Sequence, residues 1–336
     1  MSIPNRNRQW LINDRPTGRP LQEGDFKLVE EDVRQPEKGE LLLKTLYLGF
    51  DPAQKGWMEN VADYVAPTEI GEVMRGSAVL EVVASEHPKF QPGDVVSGLT
   101  GWQEYATVPA ASVQRIQNPK YKTENLGVLG TPGMTAYFGF IHIGKPKPGD
   151  TVVVSGAAGA TGSVVGQIAK IMGCRVIGIA GGKDKCDWLI REAGYDAAID
   201  YKAHDSIRQP LKELVPSGID IFYDNVGGTI LNDCLGEIAT GARVVICGGI
   251  SRYETGVLPA GPENYFNLVF RRASMEGFIV LDYAAQFGEA RRRMIEWIEA
   301  GKLSYQEDIQ EGFENAPDTL QRLFSGQNYG KQLLKI

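Results

Sequence analysis

Thr151-Val152-Val153-Val154-Ser155-Gly156-Ala157-Ala158-Gly159-Ala160-Thr161-Gly162 is an uncharged, β-branched run that empties into a glycine-rich turn. The apolar part reads as a strand buried on both faces. Gly162–Met172 behind it, with Gly166 one turn in, reads as a helix. A bare G-x-G-x-x-G match is weak, and here Ala157 stands in the first glycine's place, giving A-x-G-x-x-G. The flanking strand and helix make the signal specific. Small residues let the backbone approach a pyrophosphate, and the helix N-terminus turns its N–H groups and positive dipole end toward it. Gly156, Ala158, Gly159, Ala160, Thr161 and Gly162 are therefore candidate pyrophosphate contacts of a dinucleotide.

Outward from this stretch, apolar strands alternate with helical patterns. Strands are expected at Thr151–Ser155, Arg175–Ala180, Ala197–Asp200, Asp220–Asp224, Arg243–Gly248 and Met275–Val280. Helices fit at Gly162–Met172, Lys183–Ala193, Ser206–Leu214 and Ile230–Ile238. The alternation implies a doubly wound parallel sheet with helices on both faces. A further helix, Ala284–Ala300, carries Arg291-Arg292-Arg293, read as a solvated face. Before Gly130 the chain changes character, with short strands at Glu40–Leu48, Ala78–Ala84, Val95–Val96 and Tyr105–Val108, punctuated by Pro and Gly as in a β-rich barrel. Gln91-Pro92-Gly93-Asp94 and Lys147-Pro148-Gly149-Asp150 both read as type II turns feeding a strand. The tail, with a short helix after Gly312 and a strand at Gln332–Ile336, is expected to rejoin the N-terminal domain. The expected division is 1–129 with 305–336, and 130–304.

The second expected strand selects the nucleotide. An NAD site usually has an acid about 20 residues after the turn, on the ribose 2′-OH. Here the strand ends Ala180-Gly181-Gly182-Lys183-Asp184-Lys185, with no carboxylate at its tip and two lysines just beyond. Lys185 and Tyr201, the latter at the end of the third strand, suit a 2′-phosphate beside Gly182, which makes the expected cofactor NADP(H).

The 336 residues carry a formal net charge of −7, which disfavours nucleic acid and anionic membrane as partners. The uncharged stretches Leu126–Gly144 and Thr151–Ala169 are cut by glycines, and Met1–Pro20 has no apolar core of a signal peptide. Four well-separated cysteines, Cys174, Cys186, Cys234 and Cys247, fit reduced thiols in a cytoplasmic protein. The three histidines, His87, His142 and His204, have no cysteine beside them, so no metal is expected. Without a zinc ion to polarise an isolated carbonyl, the favoured hydride acceptor is a conjugated alkene, which needs only a donor for the enolate and a proton source. Tyr64 and Tyr253 are the candidates for that work. A quinone acceptor on the same fold, or an NADPH-binding sensor without catalysis, stays open.

With these residues in view, the chain resembles the zinc-free branch of the medium-chain dehydrogenase/reductase superfamily. It is most similar to the prostaglandin reductases and alkenal double-bond reductases, and among these to bacterial curcumin reductases. The likeness runs through Tyr47-Leu48-Gly49-Phe50-Asp51-Pro52, Gly130-Thr131-Pro132-Gly133-Met134-Thr135-Ala136-Tyr137 and the glycine turn. It continues in Tyr223-Asp224-Asn225-Val226-Gly227-Gly228, Cys247-Gly248-Gly249-Ile250-Ser251-Arg252-Tyr253 and Asn328-Tyr329-Gly330-Lys331. It implies a Rossmann-type domain beside a GroES-like barrel domain, with a cleft between them, and a homodimer paired through the nucleotide domain. It implies that Lys185 and Tyr201 hold the 2′-phosphate and that Tyr253, Asn225 and Asn328 lie at the cofactor. It also implies that Cys247, Gly248 and Ser251 line the cofactor and that the backbone of Phe278, Ile279 and Val280 meets the carboxamide. The family's Asp-Pro-Tyr-Met-Arg block reads Asp51-Pro52-Ala53-Gln54-Lys55 here, which removes an aromatic and an arginine from a loop expected to border the substrate. Ala53, with Met134, is the expected substrate wall, reshaped for a bulkier or different enone.

Overall fold

The computed structural model describes residues 5–60, 64–253 and 260–336. The chain forms two compact units, Met1–Gly127 with Glu307–Ile336, and Val128–Gln306. In the first, β1 (Arg6–Ile12) and β2 (Phe26–Asp32) pair antiparallel as a separate ribbon. β3 (Glu40–Gly49), helix α1 (Ala53–Glu59), β4 (Ser77–Ser85), β5 (Val95–Gly98), β6 (Tyr105–Pro109) and β7 (Val113–Arg115) follow.

The second unit opens with α2 (Thr131–Phe138), which runs into a π-helical turn at Gly139–Gly144. Strand and helix then alternate: β8 (Thr151–Ser155), α3 (Gly162–Ile171), β9 (Arg175–Ala180), α4 (Lys183–Arg191), β10 (Ala197–Asp200) and α5 (Arg208–Leu214). Next come β11 (Ile219–Asp224), α6 (Gly228–Gly236), β12 (Ile238–Ile246), α7 (Asn267–Arg271), β13 (Ser274–Gly277) and α8 (Phe287–Glu299). The sheet order is β10-β9-β8-β11-β12-β13, and every pairing is parallel. The order reverses between β8 and β11, where such sheets open a crevice for ligands at the strands' C-terminal ends. Val152, Val153 and Val154 have no exposed surface, as a central strand covered on both faces requires.

The chain returns to the first unit through β14 (Glu307–Glu311), α9 (Ala316–Phe324) and β15 (Lys331–Lys335). β15 lies between β14, parallel to it, and β3, antiparallel to it. β3 pairs with β6 over its first half and with β15 over its end, and its register with β4 slips twice. Such irregularities bend and twist a strand, so that one strand serves partners on a curving sheet. Leu41, Leu43, Leu48, Phe50 and Leu80 fill the interior with Trp102, whose ring stacks on Phe26 at 5.2 Å. The fold is the expected one, a Rossmann-type doubly wound sheet and a β-rich, GroES-like unit.

Both Pro-Gly-Asp turns form as read, with Gly93 at φ +92° and Gly149 at φ +90°. Other expectations need correction. The stretch after Asp51-Pro52 is a helix and not a loop, started by Pro52 and closed by left-handed Asn60. Strand β13 ends at Gly277, so Phe278 and Ile279 continue as irregular backbone and Val280 opens a 3-10 helix, Val280–Gln286. Arg291 does not lie on a solvated face: its Nε donates to the Leu129 carbonyl at 3.0 Å, while Arg293 lies over the Trp297 ring. Arg292 is exposed. Among the described residues no helix is long and apolar enough to cross a membrane.

Candidate active site

The glycine turn is built by three glycines, each with a different duty. Gly156 leaves β8 with φ +57°, a conformation that costs glycine nothing. It thus takes the first-glycine role that the sequence pattern left vacant at Ala157. Ala157 is fully buried and donates its N–H to the Ile179 carbonyl at 3.0 Å, tying the turn to β9. A Cβ on Gly162 would run into the Gly156 carbonyl and stand 2.8 Å from the Ala157 Cα, so only glycine lets α3 start this close to the turn. Gly166 gives its side-chain space to the Tyr195 ring, whose hydroxyl donates to the Gly162 carbonyl at 2.7 Å. The first helical N–H, at Gly162, has no acceptor inside the helix.

β8 and β11 are locked together under this turn. Ser155 Oγ donates to Asp224 Oδ1 at 2.7 Å and accepts from the Asn225 N–H at 2.8 Å. Asp224 also accepts the N–H groups of Val226 and Gly227. Its burial pushes the carboxyl pKa up against those hydrogen bonds. Asn225 Nδ2 donates to the Ser155 carbonyl at 2.7 Å. The N–H groups of Cys247 and Gly248 reach the Asp224 carbonyl, and Ser251 Oγ donates to the Val226 carbonyl. The structure therefore gathers Gly156–Gly162, Asn225, Cys247, Gly248 and Ser251 at the C-terminal ends of β8, β11 and β12. Phe278–Val280 follow the neighbouring strand β13. A side chain on Gly139, in the π turn, would press on the Phe278 ring and on the Tyr223 hydroxyl. Tyr223 donates to the Thr135 carbonyl at 2.9 Å, so its proton is engaged. Tyr253 is half-buried at the end of the same loop as Ser251.

At the tip of β9, Gly182 is left-handed, with φ +98°. Its N–H and that of Lys202 both donate to Asp200 Oδ1, at 2.8 and 3.0 Å. The Asp200 carboxylate beside this tip thus serves the backbone. Lys183 pairs with Asp187 at 2.5 Å. A Cβ on Gly181 would meet Lys202 Cε and the Tyr201 hydroxyl, each at 2.9 Å, so Tyr201 and Lys202 crowd the strand tip beside Lys185's helix. Lys202 was missed by the sequence reading, although it directly follows Tyr201.

Three candidates belong to the other unit. Asn328 donates to the Gly330 carbonyl at 3.2 Å, inside the turn that leads to Lys331. Lys331 is buried and holds Asp51 Oδ1 at 2.6 Å and the Phe50 carbonyl at 2.9 Å, which fixes the entry to α1. On α1, Gln54 and Lys55 point inward. Gln54 bonds the Asp51 N–H and the carbonyls of Gly49 and Arg75. Lys55 is fully buried and paired with Glu59 at 2.5 Å. The cation in the place of the family's arginine is therefore internal. Ala53 is half-buried on the other face, and Tyr64 is 43% exposed. Trp57, four residues after Ala53, donates its indole N–H to the Tyr64 hydroxyl at 3.3 Å. Helical spacing was the signal that would have found it. Met134, the second expected wall residue, is fully buried and offers no surface to a ligand.

The small-residue cradle, with sites where any Cβ would collide, fits a dinucleotide pyrophosphate, and the lysine-bearing tip fits a 2′-phosphate. A zinc ion is a different matter. Among the described residues no three His, Cys, Asp or Glu side chains converge as ligands, and Cys174, Cys186 and Cys234 are each buried apart.

Residues 8–116 match the family model described as the N-terminal domain of oxidoreductase, and residues 160–300 the one described as zinc-binding dehydrogenase. An NADPH-dependent curcumin reductase of Escherichia coli is 41% identical over 98% of this chain and 97% of its own length. A 2-alkenal reductase (NADP(+)-dependent) of Nicotiana tabacum is 40% identical over 98% of this chain and 97% of its own. The crystal structure of CurA from Vibrio vulnificus in complex with NADPH superposes with a TM-score of 0.92, at 41% identity over 98% of both chains. On these likenesses the chain belongs to the medium-chain dehydrogenase/reductase family, in the branch of the prostaglandin and alkenal reductases.

Proposed function

We propose that the chain reduces the carbon–carbon double bond of α,β-unsaturated aldehydes and ketones. It is an NADP-dependent oxidoreductase. Gly156–Gly162 hold the pyrophosphate, and Lys185, Tyr201 and Lys202 hold the 2′-phosphate. Asn225, Cys247, Gly248, Ser251, Asn328 and the backbone of Phe278–Val280 complete the contacts. The chemistry supplied by bound NADPH is a hydride for the β-carbon of the conjugated alkene. The protein's own part lies at the carbonyl oxygen, where charge gathers and a fixed hydrogen-bond donor stabilises it. The observation that carries this reading is Tyr64. Its oxygen already accepts the Trp57 N–H, and among the described residues nothing accepts its own proton. Tyr253 is the second O–H group assigned to donate to the enolate and supply its proton. Free thiols suit a reducing, cytoplasmic setting.

The test is cofactor oxidation against 2-alkenals, aryl enones and quinones, with NADPH and with NADH. Enone turnover is expected with NADPH preferred, and Tyr64→Phe is expected to lower kcat for enones about 100-fold. Quinone turnover without enone turnover would replace this reading with a quinone reductase. Cofactor binding without any turnover would replace it with a sensor.

We also propose that two copies pair through β13. All four of its residues are exposed at the sheet edge, and an unpaired edge is a template for another strand. Beside it Tyr265, Phe266, Val269 and Phe270 are more than half exposed, Phe270 at 65%. A second copy would continue the sheet and cover this apolar surface, which is unusual on a monomer. Sedimentation should give a dimer, converted to monomer by Val269→Glu with Phe270→Glu. A monomeric wild type sinks the idea.

A further inference from the structure

The block that departs from the family removes an aromatic at Ala53, and helix α1 replaces it one turn later. Residues 53 and 57 share a helix face, and both are half-buried while Gln54, Lys55 and Gly56 between them are buried. The indole of Trp57 is held from two sides. Its N–H bonds the Tyr64 hydroxyl, and the Arg75 guanidinium lies over its ring at 5.9 Å from the centroid. Arg75 is itself anchored by Nη1 donating to the Ala66 carbonyl at 2.7 Å. Among the described residues no carboxylate is within ion-pair distance of Arg75. A cation over an indole face is favourable, and here it backs the ring without a competing acid.

We infer that Trp57 is the substrate-selecting aromatic of this chain, and that with the space over Ala53 it favours flat, aryl-conjugated enones over short aliphatic alkenals. The inference rests on the enone reading above and on Tyr64 as the donor beside the wall. A pinned indole presents a broad apolar surface with little freedom to lose. Ala53 leaves room for a planar group that a tyrosine there would block. An aryl group gains from aromatic contact beyond its buried area, by an amount that corresponds to about a tenfold preference. A linear alkenal gains only the area. The Trp57–Tyr64 bond adds a coupling, because an aryl group seated on the indole is seated beside the hydroxyl that meets its carbonyl.

The experiment measures kcat/KM for benzylideneacetone and for 2-hexenal with saturating NADPH, in the wild type and in Trp57→Ala, Trp57→Phe and Ala53→Tyr with Trp57→Ala. Thermal melting and NADPH titration are followed in each protein. The wild type should prefer the aryl enone. Trp57→Ala should lower the aryl-to-alkyl ratio about tenfold, Trp57→Phe should keep most of it, and Ala53→Tyr in the Trp57→Ala background should restore none of it, because the tyrosine fills the space the planar group needs. An unchanged ratio in Trp57→Ala, or a proportional loss of both activities, overturns the inference and leaves the enone reading intact. A wild type that turns over neither substrate overturns the enone reading itself. If Trp57→Ala does not fold, the ratio in Trp57→Phe against Trp57→Leu decides in the same way.

Discussion

Gly166→Ala is expected to weaken NADPH binding at least 100-fold and to lower the stability of the nucleotide-binding unit by about 2–6 kcal/mol. The added methyl falls inside the Tyr195 ring, which packs directly over Gly166. Tyr195 is buried, and its hydroxyl bonds the Gly162 carbonyl. To admit the methyl, the ring must leave. That strands the buried Tyr195 hydroxyl and shifts the first turn of α3, the turn proposed to meet the pyrophosphate. Overpacking costs about 1–3 kcal/mol and the orphaned polar group about as much again. Gly288→Ala is the matched comparison, because nothing lies within 4 Å of a Cβ there. Its melting temperature should stay level or rise slightly. Fluorescence titration of NADPH with differential scanning calorimetry reads both effects. Wild-type affinity in Gly166→Ala would show that this packing does not shape the cradle.

The second large effect concerns the choice between NADPH and NADH. Lys185→Ala with Lys202→Ala should reduce kcat/KM for NADPH about 100-fold, since a hydrogen bond to a charged group contributes about 1.5–3 kcal/mol. NADH, which lacks the 2′-phosphate, should change no more than about threefold. Lys183→Ala separates this from a general loss of positive charge. Lys183 already pairs with Asp187 at 2.5 Å, so its removal should move the NADPH value little. Equal losses with both cofactors in the double variant would remove the 2′-phosphate from this strand tip. Adding Asp200 to the double variant would confuse the result, because Asp200 holds the backbone of Gly182 and Lys202.

The parallel sheet was legible because its strands are unbroken apolar runs and its turns use residues with one conformational purpose. Gly93 and Gly149 took the positive φ that Pro-Gly-Asp demands. Helix α2 and its π turn were hidden, since Thr131–Gly144 is uncharged and nearly apolar all round and so shows no helical face. Helix α1 was hidden by its length and by Pro52, which reads as a loop signal in sequence and serves as a helix start in space. The candidate site divides the same way. Glycines that face backbone announce themselves through spacing. Lys202 and Trp57 matter through neighbours brought up by folding, Gly181 in one case and Tyr64 with Arg75 in the other. Arg291 looked like part of a basic surface run because sequence does not show that Leu129 offers it a carbonyl.

Strand β15 lies between β14 and β3, and its first residue, Lys331, grips Asp51. The β-rich unit is thus assembled from two stretches of chain separated by the whole of Val128–Gln306. During synthesis the nucleotide-binding unit has all its residues in hand first and can condense from local strand–helix contacts. The β-rich unit must wait, with the edge of β3 and the side chain of Asp51 unmatched, until residues 307–336 have been made. That interval is the window in which a nascent chain of this protein is most exposed to misassociation.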